Sequence, residues 1–210
     1  MTAATTTVDE TSTAHPTAGH HTSTGLSNEK LAMWVFLGSE CLLFGGLITT
    51  FLFYREKPIT NGSPSVQDLY DIPFTSVSSF VLLMSSLTMV LAVAAIKRRD
   101  QRNTRVWLLA TALLGASFVA GQIYEFTTFY REGLGYTTNL QASAFYTLTG
   151  FHGVHVSLGI VMLLSTVVLS LRGRMGPEKA ESIEVIGLYW HFVDVVWIVI
   201  FTVVYLINAG

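Results

Sequence analysis

Five stretches of this chain are each apolar for longer than the roughly 20 residues a helix needs to cross about 30 Å of hydrocarbon, and most of its charges lie in the short segments between them. Only 12% of residues are charged, against about 25% in typical soluble domains. A soluble domain of this length could bury a core but would still need a polar surface. The pattern therefore predicts an all-α, polytopic membrane protein with five transmembrane helices over about 31–54, 73–96, 106–130, 141–171 and 183–207. In lipid every backbone N–H and C=O must be satisfied within the segment, and a helix does that.

The punctuation agrees with these bounds. Ser27 and Asn28 stand as N-cap candidates before the first run, and Arg55-Glu56-Lys57 closes it. Pro58, Asn61-Gly62 and Pro64 supply turn chemistry. Pro73 opens the second run at a first-turn position, and the segment Lys97–Arg105 separates it from the third. Gly133 and Gly135 mark the next loop, and Arg172–Pro177 ends the fourth run. That run is long enough to tilt or to begin in the interface.

Residues 1–28 are rich in Thr, Ser, Ala and His, with neither the positive start nor the apolar centre of a signal peptide. They read as a disordered cytoplasmic tail ahead of a membrane domain over 29–210. His15, His20 and His21 could hold a metal ion weakly, but a flexible polar tail explains them as well. Basic residues near the spans set orientation. With the tail inside, Lys30, Lys97, Arg98, Arg99, Arg102, Arg105, Arg172, Arg174 and Lys179 lie inside, while Arg55, Lys57 and Arg131 lie outside. Nine against three predicts a cytoplasmic N-terminus and an external C-terminus. The net charge of −2 gives no reason to expect nucleic acid. The single cysteine, Cys41, excludes a disulfide framework within the chain and reads as a small buried hydrophobe.

Ionisable residues at membrane depth cost about 2.5–3.5 kcal/mol by the lower estimates for Asp, Lys and Arg, so those present need a reason. They are Glu40 in the first span, Glu125 in the third, His152 and His155 in the fourth, and His191 and Asp194 in the fifth. At about 1.5 Å per residue, Glu40, His155, His191 and Asp194 share one layer, with Glu125 and Gln122 nearer the outer face. His152 and His155 are three apart, as are His191 and Asp194, which puts each pair on one helix face. Tyr189, Trp190 and Trp197 flank the second pair. Gly45, Gly46, Gly150, Gly153 and Gly159 thin the first and fourth helices and would permit close approach. The expectation is that the first, fourth and fifth helices pack together with their polar groups turned inward.

Such a layer admits three chemistries. Facing histidines could ligate haem or, with carboxylates, a metal. Glu, His and Asp at mid-membrane are the parts of a proton-transfer chain. A hydrogen-bonded network that pins helices and sits beside lipid needs nothing further. There is no phosphate-binding Gly-rich loop, nucleophile elbow or HExxH motif.

Four segments carry a family resemblance. They are Gly38-Ser39-Glu40 running to Phe44-Gly45-Gly46, Gln122-Ile123-Tyr124-Glu125, Thr149-Gly150-Phe151-His152-Gly153-Val154-His155-Val156, and Tyr189-Trp190-His191-Phe192-Val193-Asp194-Val195-Val196-Trp197. The chain from about residue 29 onward resembles subunit III of haem-copper terminal oxidases, the cytochrome c oxidase and quinol oxidase superfamily. The resemblance implies an accessory subunit of a proton-pumping cytochrome c oxidase, multi-pass in a bacterial plasma membrane, with no catalytic residue, cofactor or metal of its own. Haem and copper would lie in partner subunits. Subunit I would be the direct contact, with subunit II and, where one is present, a small subunit IV in the complex. The family binds phospholipid in a V-shaped cleft, and Glu40 matches its carbodiimide-reactive glutamate. Its role is to sustain proton uptake by subunit I. The residues expected in a buried polar network and beside the lipid cleft are Glu40, Glu125, His152, His155, His191, Asp194, Trp190 and Trp197. Longer members have seven helices, so five look like the shorter bacterial form. The alternatives are subunit III of a quinol oxidase of the same superfamily, an independent membrane proton channel or carrier, or a small b-type cytochrome.

Overall fold

The computed structural model describes residues 27–55, 57, 62, 65–174 and 180–207, with the side chains of 67 and 68 left aside. The tail, with His15, His20 and His21, lies outside the described residues, as do most of the turn residues between Pro58 and Pro64. Five helices follow in order: α1 Asn28–Arg55, α2 Ile72–Lys97, α3 Gln101–Arg131, α4 Leu140–Leu171 and α5 Ala180–Phe201. A 3₁₀ turn, Val66–Leu69, precedes α2, and α5 runs on as a π-helical turn, Thr202–Leu206. All five are long and apolar enough to cross a membrane.

Local chemistry starts the first four helices and ends α4. Asp71 accepts from Phe74 N at 3.1 Å ahead of α2, Asp100 from Asn103 N at 3.1 Å ahead of α3, and Asn139 from Ala142 N at 2.7 Å ahead of α4. These side chains satisfy backbone donors that a helix start leaves unpaired. Ser27 fills this role for α1, with Lys30 N 3.4 Å from its Oγ. α4 ends in a left-handed residue, Gly173 (φ 69°), after which Arg174 N returns to Leu169 O at 3.0 Å. Glycine adopts that backbone without a Cβ penalty. α3 begins about one turn before the sequence reading placed it. Asp100 caps immediately after the tight turn at Arg98 and Arg99, so Gln101–Arg105 are helical rather than loop.

α2 packs on α3, α3 on α4, α4 on α5, and α5 returns to α2, which closes a four-helix ring. α1 stands outside that ring, resting on α4 and α5. It buries only Leu37, Phe44 and Phe51, one narrow stripe at seven-residue spacing. Leu42 and Val35, 80% and 69% exposed, point away from the bundle. Cys41 is exposed as well, which corrects the expectation of a buried thiol. A helix held by a single stripe leaves most of its circumference to its surroundings.

Trp190 is the keystone of the ring. It is fully buried and reaches three other helices. Its Nε1 donates to Ser85 Oγ on α2 at 2.9 Å. A Cβ added at Gly115 of α3 would sit 2.5 Å from its ring, and one at Gly159 of α4 would sit 2.8 Å from it. Gly153 makes similar room for Gln122. Gly45, Gly46 and Gly150 do not play the part expected of them, since a Cβ at any of the three meets nothing within 4 Å.

Candidate functional site

The polar residues of the membrane interior do not gather in one cluster. They divide among the seams between helices. In the seam of α1 with α4, Glu40 Oε2 lies 3.1 Å from His155 Nε2, and both side chains are nearly buried. His155 Nδ1 lies 2.7 Å from the Phe151 carbonyl and must donate to it, since a carbonyl only accepts. The Glu40–His155 contact therefore holds one shared proton, on the carboxyl or on Nε2. Phe44 lies edge-on to the His155 ring at 5.1 Å, and Tyr189 Oη donates to the His155 carbonyl at 2.9 Å, which adds α5 to the seam.

His152 points elsewhere. It is completely buried, its Nε2 donates to the Val193 carbonyl at 3.3 Å, and Nδ1 has no partner. Its ring lies against Trp197 at 4.8 Å and Phe118 at 5.8 Å. The shared face expected for His152 and His155 thus splits between the ring interior and α1. Three helical residues turn about 300°, so side chains at that spacing still diverge by about 60°.

His191 and Asp194 both turn to α2. Ser86 Oγ is 2.5 Å from His191 Nδ1. Asp194 is 3% exposed, and neither of its carboxylate oxygens has a hydrogen-bond partner among the described residues. Ser86 lies beside it, with its hydroxyl bonded to His191. Trp197 Nε1 donates to Ser79 Oγ at 2.8 Å, one more tie from α5 to α2. α2 was the helix that sequence reasoning passed over. Its Thr75, Ser79, Ser85 and Ser86 supply the partners of Glu125, Trp197, Trp190 and His191. The spacing of Thr75, Ser79 and Ser86 along one helix face was the available signal.

Glu125 occupies a separate site toward the end of the bundle where α3 finishes. It accepts from Thr75 Oγ1 and from Tyr205 Oη, each at 3.1 Å. One turn earlier, Gln122 Nε2 donates to the Thr149 carbonyl at 2.6 Å. Tyr70, in the segment before α2, packs its ring tilted against that of Tyr205, centroids 4.5 Å apart. Burial holds its hydroxyl proton well above the usual phenol range, with the Glu125 charge adding to the effect. At the opposite end Glu184 of α5 bridges Lys30 of α1 and Lys97 of α2, both at 2.8 Å.

No two of His152, His155 and His191 face each other across a common space, because each is committed to a different partner. Among the described residues no group of three His, Cys, Asp or Glu side chains could hold a metal ion. The arrangement can clamp helices to one another and carry protons locally.

The family model for cytochrome c oxidase subunit III matches residues 4–209. The chain belongs to that family. Among its relatives in this family, the cytochrome c oxidase subunit 3 of Bacillus sp. (strain PS3) is 42% identical over 181 residues, 86% of each chain. The protein of the same name from Bacillus subtilis (strain 168) is 39% identical over 182 residues, 86% of this chain and 87% of the relative. The quinol oxidase subunit 3 of Bacillus subtilis (strain 168) is 37% identical over 180 residues, with the same two shares. The chain is thus a multi-pass, all-helical member of the subunit III family of respiratory oxidases.

Proposed function

We propose that this chain is the accessory, non-catalytic subunit III of a proton-pumping haem-copper terminal oxidase in a bacterial plasma membrane. In this reading the tail is cytoplasmic, the C-terminus is outside, and residues 29–210 are the membrane domain. The chain rests directly against subunit I, with subunit II and a small subunit IV in the same complex. Haem and copper sit in the partners, and phospholipid lines the chain's outer surface. Its contribution is to support subunit I and sustain proton uptake there. Glu40, Glu125, His152, His155, His191, Asp194, Trp190 and Trp197 form its helix-clamping network and its lipid-adjacent positions.

One observation supports this most. The hydrogen-bonded polar side chains of the membrane interior are paired across seams of the chain itself. The outward faces meanwhile carry large apolar side chains such as Leu42, Val77, Leu113 and Val161. A surface of that kind suits lipid and neighbouring transmembrane helices.

The test is purification from native membranes through a tag on this chain. Co-purification with a much larger chain bearing haem and copper is expected. A chain that runs alone with its own haem Soret band would refute the reading. Oxidation of cytochrome c or of a quinol by the purified complex then separates the two kinds of oxidase that the relatives represent, since the electron donor binds other subunits.

A further inference from the structure

Among the described residues, the buried Asp194 carboxyl has no hydrogen bond, and a cavity leads toward it. α1 and α2 both rest on α5 and hardly touch each other. A furrow of 540 Å³ lies between them, over α5. Its mouth is charged: Lys30, Lys97 and Glu184 line it, and Glu181 lies 3.8 Å from Lys30. Trp34 and Gly187 contribute to its walls. His191 lines it too, seven residues after Glu184 and so about 10 Å further along α5. His191 Nδ1 is bonded to Ser86, which leaves Nε2 as the ring nitrogen without a hydrogen-bond partner among the described residues. Ser86 stands beside Asp194, whose two oxygens are buried and unpaired.

We propose that Asp194 is a proton-accessible site, reached from the lysine-bearing end of the bundle along this furrow and through His191 and Ser86. An ionised carboxylate without a hydrogen bond at this depth is too costly to persist, so Asp194 carries a proton. That proton needs a route, because the bundle closes over Asp194 on every side. The relay is balanced. A hydronium ion in the furrow gives its proton to His191 Nε2, and the Nδ1 proton passes to Ser86 Oγ. With its His191 bond released, the Ser86 hydroxyl turns to Asp194, one helical turn past His191 on the same face, and passes its proton to the carboxylate. At the end water, neutral imidazole and serine hydroxyl are restored, and one proton has been added to Asp194. Loss runs the same steps backward. The furrow's apolar walls do not prevent this, since a single transient water at Nε2 suffices for each transfer. The path stops at Asp194, whose oxygens have no further hydrogen-bond partner among the described residues. It is a dead end that stores a proton, and it does not cross the membrane.

The inference goes beyond the role proposed above and does not depend on which chains accompany this one. A failure of co-purification and a failure of proton exchange are therefore separate results. The test is infrared spectroscopy of the protein in the complex in which it purifies, transferred from H₂O to D₂O. A carboxylic acid C=O band that Asp194→Asn abolishes is expected, and it should shift on transfer. His191→Phe and Ser86→Ala should each slow that shift at least about tenfold, as loss of a proton-transfer group does. Ala94→Phe, which fills the furrow and leaves the relay intact, should slow it too, and it covers the case in which a relay variant fails to fold. Glu40→Gln, in a different seam, should leave the rate unchanged. Absence of an Asp194-dependent acid band at neutral pH would overturn the proposal. So would an exchange rate that the folded variants leave unaltered.

Discussion

Replacing Gly159 by alanine tests whether Trp190 is the wedge that holds α2, α3, α4 and α5 in register. The new Cβ would lie 2.8 Å from Trp190 Cε3 and Cζ3. The indole cannot retreat, because its far edge meets α3 at Gly115 and its Nε1 is bonded to Ser85. Overpacking of this kind costs about 1–3 kcal/mol. Trp190→Ala removes the ring. The indole would be as apolar in lipid as in the bundle, so transfer from water contributes little and the cavity term dominates. At about 24 cal/mol per Å³, a residual void of roughly 100 Å³ costs about 2–3 kcal/mol. The lost hydrogen bond adds about 1 kcal/mol. In the Trp190→Ala background the clash has gone, and Gly159→Ala should be neutral or slightly stabilising through its helix propensity. The cycle thus predicts a coupling of about 1–3 kcal/mol between two residues on different helices. The assay is the temperature at which the purified chain leaves its monodisperse peak on size exclusion after heating. For a chain of this size 1 kcal/mol moves that midpoint by about 2–4 °C. Equal cost of Gly159→Ala in both backgrounds would refute the wedge.

The other expectations concern single sites. Glu40→Gln keeps a donor opposite His155 Nε2, so assembly and initial oxygen reduction by the complex should persist; immediate and complete loss of activity in an assembled complex would contradict this. Asp194→Leu removes a carboxyl that has no hydrogen bond to lose, and such replacements are commonly neutral or stabilising; a complex that no longer retains the chain would count against the unpaired geometry. Asp100 is held below its ordinary value of 3.8, first by the Asn103 backbone N–H and then by the Asn103 side chain and the nearby Arg98 charge. Since its folded value is the lower one, its support for the start of α3 is complete above the ordinary carboxylate range and is lost as pH falls below 3.8. Hydrogen exchange at the first turn of α3 should therefore quicken on acidification, and should be quick at every pH in Asp100→Ala.

Hydropathy read helix number well because the bilayer imposes a length. The bounds of α2 and α4 follow from a proline, a capping Asn and a glycine turn. The start of α3 was missed by about a turn, since a run of charges looks like a loop even when Asp100 caps a helix within it. Depth along each helix was legible for the site too, because rise per residue is constant. Direction around the axis was not, and it separated His152 from His155 and Glu40 from His191. The spacing of Thr75, Ser79 and Ser86 on α2 was only a weak signal. A hydroxyl can return to its own backbone, as Ser79 does to Thr75 O at 2.7 Å, so it is cheap in lipid and does not stand out as a buried carboxylate does.

By itself the sequence determined five helices long and apolar enough to cross a membrane and membership of the oxidase subunit III family. Both depend on local composition, which lipid reads one segment at a time. Only the tertiary structure decided that α2 to α5 close into a ring with α1 outside it, and that the polar groups divide among the seams. It also showed that Asp194 stands unpaired beside Ser86. Those outcomes depend on which faces of different helices meet, and that is settled by the fit of side chains such as Trp190 into Gly115 and Gly159.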